Sequence, residues 1–119
     1  MYGQELDEEA VRLATDNAVL NHLQDRATFQ AGPVENGVWQ TIKPDVTIVD
    51  PPRSGLHPST LDQLVKNPSP VLIYVSCQYL RLAQELHQFK TVYRVDRLTA
   101  LDLFPQTPHV EVVARLVRL

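Results

Sequence analysis

The chain holds a single cysteine, Cys77, which ends the apolar, β-branched run Val71-Leu72-Ile73-Tyr74-Val75-Ser76. A run of this kind, opened by Pro70 and closed by polar residues, reads as a fully buried strand. In an open α/β sheet the reactive groups lie just beyond the carboxyl ends of the parallel strands. Cys77 therefore stands where a nucleophile would be useful, although a cysteine so placed is more often a small buried hydrophobe. A free thiol is only a few per cent thiolate at neutral pH, so a reactive one needs a neighbouring charge or a helix N-terminus. The helix expected from about Tyr79 offers such a terminus.

Carboxylates make up the second set of candidates. Asp50 is followed by Pro51-Pro52, either a strand stop, since proline cannot continue a ladder, or an acid held towards a substrate by stiff backbone. Glu111 interrupts the apolar run Val110 to Val113. A carboxylate at a buried strand position costs free energy unless it is paired or used. Glu5, just before a helix, reads equally as a solvated acid and as a partner for ribose hydroxyls. His22, His57, His87 and His109 show no metal-ligand spacing, and one cysteine cannot build a zinc or iron–sulfur site, so no metal is expected.

The elements that must position these residues alternate. Met1–Leu6 reads as the tail of a strand. Asp7 caps a helix whose apolar face is Ala10, Val11, Ala14 and Ala18, fading near Asn21-His22. A short strand covers Ala27–Ala31, and Asp45–Val49 is a second buried strand. Pro58 suits the first turn of a helix striped with Leu61, Leu64 and Val65. The helix after Cys77 runs to Phe89 with Leu80, Ala83, Leu86 and Leu82 as candidates for its inward face. Thr91–Leu98 and His109–Leu119 are strands joined by a turn with Pro105 and Pro108, too short for a crossover, so they form an antiparallel hairpin. The whole is one α/β domain, 1–119, with a mostly parallel sheet and helices on both faces. The parallel strands end at Glu5, Asp50 and Cys77, and the reversed last strand begins on that same rim with His109 and Glu111.

Composition narrows the setting. With 119 residues, 44% hydrophobic and 21% charged, the chain is an ordinary globular domain with no run long enough to span a bilayer. A lone cysteine suits a reducing, cytoplasmic compartment. The net charge of −3 argues against a broad electrostatic grip on nucleic acid by these residues alone.

Asp50-Pro51-Pro52-Arg53-Ser54-Gly55-Leu56, Val75-Ser76-Cys77 and Asp102-Leu103-Phe104-Pro105-Gln106-Thr107-Pro108-His109-Val110-Glu111 together resemble the RNA uracil-5-methyltransferase family. The resemblance implies a Rossmann-like, S-adenosylmethionine-dependent fold, met here as the C-terminal part of the catalytic domain and starting at its second strand. It implies methylation of uridine carbon 5 in ribosomal or transfer RNA, with Cys77 as nucleophile and Glu111 as proton-abstracting base. Asp50 then lies near uracil and methyl donor, Glu5 holds the donor's ribose, and Asp50 and Arg53 meet the substrate. Arg53 stands where amino-directed methyltransferases carry an aromatic residue, which disfavours that chemistry. The chain departs from the family pattern at Gln78-Tyr79, which replace Asn-Pro, at Pro33 after Gly32, where an acid is usual, and at Gln106, where a histidine is usual.

Two further expectations follow. The main RNA grip, the first strand and its glycine-rich loop lie outside this chain, so the donor binds weakly to it alone. The sheet must then either close by direct pairing of its strands or borrow an edge from a second copy, because open edges invite association. The alternative to an enzyme is a non-catalytic module that retains the methyltransferase sheet.

Overall fold

The computed structural model describes residues 1–119, apart from the side chain of Gln40. It forms two compact units, Met1–Ile42 and Lys43–Leu119. Among the described residues no helix is long and apolar enough to cross a membrane.

The first unit is a β–α–β crossover. Strand β1 (Tyr2–Glu5) leads through helix α1 (Glu8–Leu20) to strand β2 (Thr28–Ala31), followed by two 3-10 turns at Val34–Asn36 and Val38–Thr41. The strands pair in parallel, from Tyr2 opposite Thr28 to Glu5 opposite Ala31. Helix α1 starts where the sequence places it. The Asp7 carboxylate accepts the Glu9 and Ala10 backbone N–H groups at 2.8 and 3.3 Å, satisfying donors that a helix start leaves open. The predicted apolar face is only partly used: Ala18 is buried, Val11 and Ala14 are half-buried, and Ala10 is exposed. Two strands of 4 residues are too short to cover a 13-residue helix.

The second unit carries β3 (Val46–Val49), α2 (Pro58–Lys66), β4 (Val71–Ser76), α3 (Tyr79–Phe89), β5 (Tyr93–Leu101) and β6 (Glu111–Arg118). Its four-stranded sheet has the order β3-β4-β6-β5. β3 and β4 are parallel, whereas β6 is antiparallel to both β4 and β5, giving the expected C-terminal hairpin. The architecture is thus α/β with mixed sheets. Among the described residues β1 and β2 form one sheet and β3-β4-β6-β5 another, and the end strands of each keep one edge unpaired.

The core of the second unit lies on one face of its sheet. Leu72, Tyr74 and Ser76 of β4 and Val112, Ala114 and Leu116 of β6 are buried, together with Leu61 and Leu64 of α2 and Leu82 and Phe89 of α3. Each large apolar side chain withdrawn in this way contributes roughly 1.5–3 kcal/mol. The alternate residues Val71, Ile73 and Val75 are only half-buried, and Ile48 of β3 is 67% exposed. The expectation of fully buried strands is therefore corrected. An apolar run with no polar alternation signals burial on both faces, yet here only alternate residues go deep.

Helix α3 has the predicted limits, and of the four candidates for its inward face Leu82 is buried and Leu86 half-buried. Leu80 and Ala83 point outward, while Leu82, Glu85 and Phe89 are buried. The apolar stripe is displaced because a carboxylate, Glu85, occupies a core position.

Candidate active site

The second unit brings Asp50, Arg53, Cys77, His109 and Glu111 to one rim of its sheet. The register of the antiparallel pair β4–β6 ends with Ser76 opposite Val112. Cys77 and Glu111 each stand one residue beyond that last pair, at the same rim. On the other side of β4, Val49 of β3 lies beside Tyr74, so Asp50 extends onto the same rim. Glu5 closes β1 in the first unit and is exposed.

Cys77 is half-buried and free. It sits at the bend from β4 into α3, and that bend is clasped from beneath. The buried Ser76 hydroxyl accepts the Gln78 backbone N–H at 3.1 Å and donates to the Gln78 carbonyl at 3.1 Å. Gln78 caps α3, its side-chain oxygen accepting the Leu80 N–H at 3.4 Å. The thiol thus precedes an orderly helix N-terminus, where the macrodipole favours negative charge. Gln78 and Tyr79 differ from the family pattern, yet they leave the cap intact.

A hollow of about 260 Å³ opens beside the thiol, lined by Cys77, Gln78, Tyr79, Leu80, Pro108 and His109. A small-molecule pocket usually holds at least ~300 Å³, so this hollow suits one flat ring better than a whole cofactor. His109 is held by a hydroxyl turn. Thr107 donates to the Phe104 carbonyl at 2.7 Å and accepts the His109 N–H at 3.3 Å.

Arg53 reaches the same place from the loop after β3. Its Nη2 lies 3.3 Å from His109 Nδ1 and 3.2 Å from Nε2, so the guanidinium rests against the imidazole as a whole. The loop makes a tight turn, the Gly55 N–H donating to the Pro52 carbonyl at 2.8 Å, with Arg53 and Ser54 at its tip. Asp50 and Arg53 are both exposed, open to a ligand.

Glu111 is half-buried at the first position of β6, opposite Leu101 of β5. The expectation of a carboxylate in a buried strand position is corrected. The strand begins at Glu111, two residues later than predicted, so the side chain stands at the rim where solvent reaches it.

In the first unit, Glu5 Oε1 accepts the Leu6 and Asp7 N–H groups at 2.7 and 3.2 Å. That fixes the carboxylate at the entrance to α1 and leaves its other oxygen open. A carboxylate held in this way fits a pair of vicinal hydroxyls. Among the described residues no cluster of three His, Cys, Asp or Glu side chains is arranged to hold a metal ion.

The family model for tRNA (uracil-5-)-methyltransferase matches residues 9–118, nearly the whole chain. The chain belongs to the tRNA (uracil-5-)-methyltransferase family. Among its relatives, an uncharacterized RNA methyltransferase of Clostridium tetani is 42% identical over 118 residues, covering 98% of this chain and 26% of the relative. The tRNA (uracil(54)-C(5))-methyltransferase of Pyrococcus horikoshii is 38% identical over 97% of this chain and 27% of its own length. The crystal structure of the Pyrococcus abyssi tRNA (uracil-54, C5)-methyltransferase, in complex with S-adenosyl-L-homocysteine, superposes with a TM-score of 0.86 at 38% identity. It covers 98% of this chain and 28% of that one. The chain thus spans about a quarter of the length of the relatives it matches, and its fold is that of a Rossmann-like methyltransferase.

Sequence reasoning did not pick out Ser76 or Thr107, which hold the Cys77 bend and His109 without being reactive themselves. Ser76 and Thr107 each stand two residues from the group they fix, the spacing of side-chain-to-backbone turns, and that signal is present in the sequence.

Proposed function

We propose that this chain is the C-terminal segment of the catalytic domain of an RNA uracil-5-methyltransferase, in which Cys77 and Glu111 act on carbons 6 and 5 of one uridine in ribosomal or transfer RNA. The observation that carries the reading is the β4–β6 register: its last pair is Ser76–Val112, so Cys77 and Glu111 each stand one residue beyond it at the same rim, with Cys77 lining a ring-sized hollow.

Carbon 5 of uracil is a poor nucleophile. Addition of the Cys77 thiolate to carbon 6 forms a carbon–sulfur bond and moves the electrons of the 5,6 double bond into an enolate, so carbon 5 can take a methyl group. S-adenosylmethionine, when bound, supplies that methyl as a sulfonium group and leaves as the thioether. Glu111 then accepts the proton from carbon 5, and the released electron pair restores the double bond as the Cys77 thiolate departs. A base can enter the hollow only after leaving its stack. Asp50 borders the uracil and the donor, Arg53 meets the substrate nucleotide from the opposite lip, and the open oxygen of Glu5 serves the donor's ribose hydroxyls. The principal RNA grip belongs to other parts of the protein, in keeping with the net charge of −3. The free sheet edges are the places where a second copy would pair, and a lone cysteine suits work in the cytoplasm.

The test is trapping with RNA that carries 5-fluorouridine at the target position, using a full-length protein that includes this chain. Fluorine cannot leave as a proton, so after methylation the adduct persists. A covalent protein–RNA band that needs S-adenosylmethionine and disappears in Cys77→Ala is expected. Absence of any band from the unaltered protein overturns the assignment and favours a non-catalytic module.

A further inference from the structure

Glu85 is a fully buried carboxylate on the inner face of α3, and the chemistry above makes no use of it. Burying a charge costs free energy unless it is paired and hydrogen-bonded on several sides. Glu85 is hydrogen-bonded from β4 and from the loop after β3, and ion-paired within α3. The Tyr74 hydroxyl of β4 donates to Oε2 at 2.6 Å. The Leu56 backbone N–H, at the base of the Arg53 turn, donates to Oε1 at 3.1 Å and lies 3.4 Å from Oε2. Arg81, one turn earlier on α3, brings Nε to 2.8 Å from Oε1, out of line for a hydrogen bond, so its contribution is one of charge.

The loop is shaped to this carboxylate. Gly55 has φ +85, and a methyl group there would collide with Glu85 Oε1 and stand 2.5 Å from Arg81 Nε. Gly55 also closes the turn that presents Arg53. The same helix that begins two residues after Cys77 therefore grips the base of the loop whose tip touches His109. Packing of the buried Leu56 side chain anchors the end of the loop, and the Leu56 N–H bond to Glu85 sets how its turn is presented.

We propose that Glu85 is a positioning residue: through the Leu56 N–H it sets the Arg53 turn against His109, and so fixes the cationic lip of the hollow relative to Cys77. The inference deepens the uridine reading and rests on it for the identity of the substrate. Its first test does not need that reading. A glutamine at 85 keeps the volume but has a single acceptor oxygen: turned towards Tyr74, it leaves the Leu56 N–H only the longer 3.4 Å contact in place of the 3.1 Å bond to Oε1, where the amide NH2 now stands.

Histidine-ring NMR of the 119-residue chain would compare the unaltered protein, Glu85→Gln and Arg53→Ala. Glu85 does not touch His109, so a role confined to stability would leave the His109 ring signals in place whenever the variant is folded. The expected result is that Glu85→Gln moves them at least halfway to their Arg53→Ala positions, with His22 in the first unit unmoved. Should Glu85→Gln fail to fold, Glu85→Asp, which keeps the charge but shortens the reach to Leu56, decides the same question. Folded variants with His109 unmoved overturn the proposal. In a full-length protein, Glu85→Gln should also slow adduct formation with 5-fluorouridine RNA by about 10- to 100-fold, as a misplaced binding group does. Arg53→Ala should add little to that loss. Additive losses would overturn the link to Arg53. If the unaltered protein forms no adduct, the uridine reading falls while the His109 signals still decide the positioning role.

Discussion

Gly55→Ala is the sharpest test of how the loop is packed. Alanine at φ +85 pays the left-handed penalty of L-residues, roughly 1–2 kcal/mol. The new methyl also drives Glu85 Oε1 from its place, and the buried Leu56 N–H then loses its acceptor, a cost of about 1–3 kcal/mol. Together the substitution should remove about 2–5 kcal/mol, a large part of the ~5–15 kcal/mol that holds a typical domain folded. Urea unfolding followed by circular dichroism measures it. The decisive comparison is the same change in a Glu85→Ala background. There the carboxylate is absent, so the backbone penalty and the approach to Arg81 remain but the loss of the Leu56 acceptor is already taken, and the two costs should fall short of additive by about 1–3 kcal/mol. Costs that add to within about 0.5 kcal/mol would refute the account, because they would mean that Gly55 and Glu85 do not share a space.

Burial, followed by the hydrogen bond to Glu85 and its charge, raises the Tyr74 phenol well above its ordinary value, and burial raises Tyr93 in the same direction. A group whose folded value is raised stabilises the fold below its unfolded value, and that contribution is lost as pH climbs past it. Stability should therefore decline above about pH 10, and Tyr74→Phe should flatten that decline in urea titrations; an unchanged slope would count against it. Asp7→Ala removes the α1 cap and should cost about 1 kcal/mol, seen as faster amide exchange at Glu9 and Ala10 in the first unit. Ile48→Lys places a charge on the exposed face of edge strand β3 and should raise the concentration at which the chain starts to associate, read by light scattering, with little change in unfolding midpoint.

The sequence disclosed what is encoded locally. Asp7 followed by Glu8-Glu9 marks a helix start whatever surrounds it, and the α3 limits follow from its flanking residues. The hairpin was legible because a short connection containing Pro105 and Pro108 leaves few alternatives. What stayed hidden depends on distant partners. Glu85 looks like a solvated charge on a helix, and only Tyr74, 11 residues back, and Leu56, 29 residues back, make its burial tolerable. Once that carboxylate takes a core position, the inward stripe runs through Leu82 and Phe89, so of the apolar candidates Leu82 goes inside while Leu80 and Ala83 stay out. The half-covered strands were hidden for a related reason, since a β-branched run reports what a strand can bury rather than what is there to bury it. At the site, Cys77 and Asp50 were visible as strand ends, whereas the contact of Arg53 with His109 joins residues 56 apart in the chain.

The antiparallel placement of β6 has a bearing on how this protein tolerates change. The spacing of Cys77 and Glu111 is set by ladder bonds between Val71–Ser76 and Val112–Val117 and owes nothing to the connection spanning 102–110. Insertions or deletions in that connection can accumulate without disturbing the pair. Losing one residue inside β6 is another matter: every side chain beyond the gap would swap sides, and the acid would turn away from the thiol. Length variation in the connection should therefore leave the register of the pair intact, although it would shift His109 at the hollow, whereas a change a few residues later should destroy the register.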